Sequence, residues 1–100
     1  MTGVVRIGDL SAGHDGYAPT ALVNTPQSTV FVNGQLAGVI GASYDTHTKR
    51  RAPTHFVNVE RVITSGSDTV IIEGKGVARI GDSVADGDVA AGGSSDVIAG

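Results

Sequence analysis

Val30-Phe31-Val32-Asn33-Gly34-Gln35-Leu36-Ala37-Gly38-Val39-Ile40 and Val70-Ile71-Ile72-Glu73-Gly74-Lys75-Gly76-Val77-Ala78-Arg79-Ile80 are one pattern written twice at a constant offset of forty residues. Each runs a short β-branched segment into a glycine turn and out again. A two-residue type I′ turn needs positive φ at both central positions, so Asn33-Gly34 between Val32 and Leu36 predicts a tight hairpin, and Glu73-Gly74-Lys75-Gly76 holds the equivalent place. The first half of the pattern returns once more as Ser95-Asp96-Val97-Ile98-Ala99-Gly100, and Val5-Arg6-Ile7-Gly8-Asp9 near the start recurs as Ala78-Arg79-Ile80-Gly81-Asp82. A unit this small cannot bury its apolar face alone, so the copies are expected to pack on one another.

Strand signals dominate the rest of the chain. Val4–Ile7, Thr29–Val32, Leu36–Ile40, His55–Ile63, Thr69–Ile72, Val77–Ile80 and Asp96–Ala99 are rich in β-branched residues and bounded by Gly, Asp, Asn or Ser. No stretch of ten residues has helical apolar spacing, which predicts an all-β protein. Ser11–Gln27 and Ala42–Thr54 interrupt the pattern and read as long irregular loops; Ser83–Val89 is their shorter counterpart.

One hundred residues with 15 glycines, no Trp and no Cys form one thin-cored domain over 1–100, without disulfides or thiolate metal sites. Something besides hydrophobic burial is then expected to hold it, a metal or a partner chain. The net charge of −3 argues against nucleic acid, and neither a membrane span nor a signal peptide is evident.

All three histidines, His14, His47 and His55, fall in or beside the two long loops, and Asp86 lies in the third. Each loop follows a Gly-Asp or Gly-Ala pair: Gly8-Asp9, Gly41-Ala42 and Gly81-Asp82. Equivalent loops arranged about a common axis would converge at one end. Three neutral imidazoles with a fourth oxygen ligand make a tetrahedral set suited to Zn²⁺, with Fe or another first-row metal as the alternative. Asp9 and Asp82 read as turn formers, as do Asp15 and Asp88, while Asp45 is a candidate to orient a ligating histidine. Lys49-Arg50-Arg51 reads as a solvated face, or as a contact for anionic headgroups or carboxylates. Catalytic templates match poorly: there is no Gly-x-Ser-x-Gly, and Gly74-Lys75-Gly76 lacks the remaining residues of a phosphate loop.

Taken together, Arg6-Ile7-Gly8-Asp9 with Gly13-His14, the phrase Val30–Ala37 and the run Ser65–Asp82 resemble the PAAR-repeat family, the spike-tip proteins of type VI secretion systems and contractile phage tails. Gly76-Val77-Ala78-Arg79 stands where the family commonly has Pro-Ala-Ala-Arg, and Ser94–Ile98 is similar to the family's closing strand. The resemblance implies a small conical domain of repeated hairpins in pseudo-threefold arrangement. It implies a broad base capping a trimeric β-helical (VgrG-like) spike, one tip per trimer, and a metal near the apex. Carried over by position, His14 matches the first-loop ligand, His47 and His55 stand in the second loop, and Asp86 occupies the place of a third-loop Cys. The fourth ligand is then Asp86, a water, or absent, and which of His47 and His55 lies nearer the apex is open. The expected role is structural, at the tip of an assembled particle in transient contact with the target membrane, made in the cytoplasm and without a fused effector domain. The competing readings are an adaptor carrying effector cargo and a small metal-dependent hydrolase.

Overall fold

The structure, a computed structural model, describes residues 2–100. Its strands are very short: β1 Thr2–Gly3, β2 Leu22–Asn24, β3 Phe31–Val32, β4 Gln35–Leu36, β5 Ser43–Tyr44, β6 Ile71–Ile72, β7 Lys75–Gly76 and β8 Ile98–Ala99. There are no helices among the described residues, so the all-β expectation holds.

The two predicted hairpins form as read. β3 pairs with β4 and β6 with β7, with Asn33 (φ 52) and Gly34 (φ 81) in one turn and Glu73 (φ 50) and Gly74 (φ 81) in the other. The two ends of the chain make the third hairpin between them, β1 antiparallel to β8. Val32, Ile72 and Ala99 are the inward residues of the three hairpins, packed with Val4, Ala37 and Val77.

Behind the hairpins, three segments close into a ring. Arg6 bridges Ala37, Val39 bridges Val77 and Arg79 bridges Val4. The amide of Val5 donates to Ala78 O (2.9 Å), that of Ala78 to Gly38 O (2.9 Å) and that of Gly38 to Val5 O (2.7 Å). A Cβ on Gly38 would stand 3.0 Å from Leu22 Cδ2, so the absence of a side chain here, where the equivalent positions hold Val5 and Ala78, leaves room for Leu22. Val4–Ile7, Leu36–Ile40 and Val77–Ile80 were expected as strands, and here the structure differs. Each segment divides its hydrogen bonds between two neighbours about the axis, so no two of them run together as a ladder.

A second ring follows. Leu22 pairs with Tyr44, Ile63 bridges Val84 and Ala90 bridges Ser11. Leu22, Ile63, Ala90, Tyr44 and Val84 are fully or almost fully buried and form the main core with Val5, Ala42 and Ala78. The segments predicted as irregular loops therefore contain β2 and β5. Their partners belong to other repeats, and local sequence carries no trace of such pairing.

His55–Ile63 is not a continuous strand. Phe56 O accepts the amides of Val59, Glu60 and Arg61, and the Glu60 carboxylate accepts the Phe56 amide, which together fold residues 56–61 into a tight turn. Only the ends, His55 and Val62–Ile63, make β-bridges. The stacked rings give an elongated body of 40 × 23 × 22 Å whose two short axes are nearly equal, as pseudo-threefold symmetry requires.

Candidate metal centre

The end opposite the hairpins is built from the continuations of the second ring. His14 bridges Tyr17 in the first loop, and His47 bridges His55 at the equivalent place in the second. The third loop is a tight turn in which the Val84 amide donates to Asp88 O and the Gly87 amide to Val84 O, and it lifts Asp86 to the same level. All four residues singled out from sequence come together, one donor atom from each lying within 4.8 Å of every other.

His47 Nε2 stands 3.3 Å from His14 Nε2, 3.0 Å from His55 Nδ1 and 3.0 Å from Asp86 Oδ2. Asp86 Oδ2 is also 3.3 Å from His14 Nε2 and 3.0 Å from His55 Nδ1. A ring nitrogen carries one proton or one lone pair and can satisfy one such neighbour. His47 Nε2 faces three, an arrangement that hydrogen bonds cannot satisfy and a central cation can. Four donors held about 2.0–2.1 Å from a tetrahedral centre lie roughly 3.3–3.4 Å apart, close to the spacing found here.

The surroundings suit the same purpose. Ala18 O lies 3.0 Å from His47 Nδ1. A carbonyl can only accept, so Nδ1 carries the proton and Nε2 presents its lone pair to the cluster. This partner, and not Asp45, orients His47: the Asp45 carboxylate accepts the Thr46 amide instead. Tyr17 stacks on His55 at 4.1 Å, on His47 at 4.7 Å and on His14 at 5.0 Å between ring centroids, and its hydroxyl donates to Pro53 O. Lys49, expected in a solvated face, reaches over the Tyr17 ring at 5.3 Å and donates to Asp15 O.

Beneath the cluster lies a residue that sequence reading missed. Arg61 is fully buried and spends all five of its N–H groups. Nε donates to Asp45 O, one terminal nitrogen to Asp86 Oδ2 (3.0 Å) and Asp88 Oδ2 (2.9 Å), and the other to Ser11 Oγ (3.0 Å) and Thr20 Oγ1 (2.8 Å). Asp88, read as a turn former, is thus also one half of a buried ion pair. Burial alone would push the Asp86 carboxyl up; the Asp88 amide and the Arg61 guanidinium outweigh it and hold Asp86 down at about 2. The signal that could have revealed Arg61 is positional. Thr20, Arg61 and Asp88 each stand two residues before a member of the Leu22, Ile63, Ala90 ring, and two of the three carry opposite charges.

An all-β body of three hairpin units about a common axis, ending in a cluster of three histidines and a carboxylate, defines a small repeat domain with a candidate metal centre. A family model described as the PAAR motif matches residues 13–92, and the chain belongs to that family. PAAR-motif domains form the spike tip of contractile injection systems such as type VI secretion, bind metal and associate with the VgrG spike. No curated relative matches the chain.

Proposed function

We propose that the protein caps a trimeric β-helical spike, one copy per trimer, with its hairpin end as the base and a metal held at the opposite end by His14, His47, His55 and Asp86. The observation that carries this reading is the trio Phe31, Ile71 and Ile98. They occupy equivalent positions on the three hairpins, and each is a large apolar side chain left more than half exposed (61%, 53% and 51%). Val30, Val70 and Val97 repeat the pattern one residue earlier at 38%, 40% and 37%. Apolar groups repeated by pseudo-threefold symmetry on one end of a single chain suit a partner with true threefold symmetry.

At the other end, three imidazoles and one carboxylate would hold the ion, which supplies a cross-link among loops distant in sequence. Zinc is the metal the donor set suits best, with iron as the alternative. The base buries apolar surface on the spike, and the metal-tied end meets the target membrane. The role is mechanical and not catalytic.

Native mass spectrometry of the protein mixed with a trimeric β-helical spike tests the reading. The expected result is a complex of one tip chain with three spike chains, carrying one metal ion. A complex with three tip chains, or no association, overturns the cap.

A further inference from the structure

A buried guanidinium on the axis of a small apolar body calls for a reason. Desolvating it is costly, and well-packed aliphatic side chains of similar volume often serve stability as well or better. The adjacent ring, Leu22, Ile63 and Ala90, is filled by aliphatic side chains of just that kind. One layer further along, the equivalent positions hold Thr20, Arg61 and Asp88, which bond to one another through the guanidinium at 2.8 and 2.9 Å. Arg61 also reaches out of its layer to one oxygen, Asp86 Oδ2, the same atom that faces His14, His47 and His55.

The geometry points to Arg61 as a positioning residue for the metal centre: anchored to all three repeats, it fixes Asp86 so that Oδ2 is presented to the three imidazoles before any ion arrives. The inference rests on the metal reading proposed above and adds to it the reason the carboxylate stands where it does. A carboxylate on a turn has free rotation about two bonds. Here Oδ1 accepts the Asp88 amide (3.1 Å) and Oδ2 accepts Arg61, so both bonds are set. Arg61 is itself held at Ser11 and Thr20 of the first loop, at Asp45 of the second and at Asp88 of the third. The planar fork suits this task and an ammonium does not, since Lys offers three donors where Arg61 uses five in fixed directions.

The consequence is that Arg61 acts on the metal through Asp86, the one member of the cluster it touches directly. Partners of a ligating residue typically alter metal affinity by about 10–100-fold when removed. Co²⁺ titration of the full chain against a competing chelator, read by visible absorption, provides the test in a double-substitution cycle. Arg61→Lys in the parent is expected to weaken Co²⁺ binding about ten-fold or more and to change the intensity of the visible bands. In the Asp86→Asn background the same substitution is expected to change affinity less than about two-fold. Equal losses in both backgrounds would mean that Arg61 supports the fold generally, and the inference falls. If Arg61→Lys does not fold, Thr20→Val, which removes one acceptor of the guanidinium and keeps its charge, is run through the same cycle with the same criterion. A parent that binds no Co²⁺ overturns the metal reading itself, an outcome distinct from an additive cycle.

Discussion

The Asn33 side-chain amide donates to Asp96 Oδ1 at 3.0 Å, joining the turn of the first hairpin to the bend that leads into β8, 63 residues later. Asn33 Oδ1 accepts in return from Arg6 (2.9 Å) and Ser94 Oγ (2.6 Å). The equivalent turn residue of the next hairpin, Glu73, accepts the amide of Ser28 and the hydroxyl of Thr29. Where the third turn would be, Gly100 O accepts from Ser67 Oγ. The hairpins are clasped head to tail around the base.

Asn33 therefore has two tasks, to tolerate φ 52 and to hold the clasp. Asn33→Ala loses both and is expected to destabilise the protein by about 1–2 kcal/mol. Gly34→Ala adds a Cβ in open space at φ +81, so only backbone strain, about 1 kcal/mol, applies. Gly3→Ala is expected to be far worse, because its Cβ would stand 2.1 Å from Ser94 O. Urea midpoints for the three variants check the order. A Gly3→Ala protein as stable as Gly34→Ala would contradict the closeness of the terminal hairpin to its neighbour.

The hairpins were legible because their signal is local. Asn33-Gly34 and Glu73-Gly74 announce positive φ within two residues, and the forty-residue offset aligns their neighbours. The three clustered histidines were legible because imidazoles are few and sat in repeat-related loops, and Asp86 because it holds the corresponding place in the third loop. What stayed hidden depends on partners from other repeats. β2 and β5 pair with each other from neighbouring repeats, and a period-two reading of either alone finds nothing. Residues 55–63 mislead in the opposite sense, since Phe56, Val57, Val59 and Val62 are good strand formers, yet the Phe56 carbonyl turns the chain back. Arg61 was hidden because its place is defined by a ring, and rings appear only after the chain is folded.

Tyr44 is completely buried, and its hydroxyl has no hydrogen-bond partner among the described residues. Burial raises its phenol pKa well above the ordinary value near 10, with Asp88 adding to the effect and Arg61 opposing it. A folded-state pKa raised above the unfolded one gives stability that is complete below about pH 10 and falls as pH rises beyond it, because only the unfolded chain ionises there. Tyr44→Phe is expected to be neutral or to stabilise by up to about 1–2 kcal/mol at neutral pH, since it removes an unsatisfied polar group. It is also expected to flatten the loss of stability between about pH 10 and 11 relative to the parent. Denaturant melts of both proteins across this range measure it; parallel pH curves would disprove the assignment.

Metal removal is expected to act unevenly. Tyr17, His14 and residues 47–55 are tied together by the cluster and by stacking on Tyr17, whereas Thr20, Arg61 and Asp88 keep their mutual hydrogen bonds without any ion. Chelation should therefore raise amide exchange at residues 14–17 and 47–55 by about ten-fold or more, corresponding to a local loss above about 1.4 kcal/mol. Residues 20–22, 61–63 and 88–90 should change little, and the hairpins least. Ala in place of His14, His47 or His55 is expected to lower the melting temperature of metal-loaded protein, most of all at His47, the most buried of the three with 1% side-chain exposure against 14% and 15%. Uniform exchange before and after verified metal removal would show that the ion does not stiffen this end.

The base makes the last prediction, and it turns on equivalence. If one chain meets three identical surfaces of a trimer, then Phe31, Ile71 and Ile98 meet the same pocket three times, each bringing a half-exposed apolar side chain. Burying the remainder of such a side chain is worth roughly 1–2 kcal/mol, and placing a carboxylate there adds a desolvation penalty. Phe31→Asp, Ile71→Asp and Ile98→Asp should each weaken spike binding by at least about ten-fold. The three losses should agree within about a factor of three to five, Phe31 leading because its ring is the largest. Stability of the free protein should barely move, since none of the three belongs to the buried core. Phe56→Asp and Val59→Asp serve as controls: both are exposed, at 58% and 74%, but neither lies on a hairpin. Binding measured by biolayer interferometry against an immobilised trimeric spike separates the outcomes. Loss confined to one hairpin would mean that the chain docks through one side alone, and the threefold match between tip and spike would have to be abandoned.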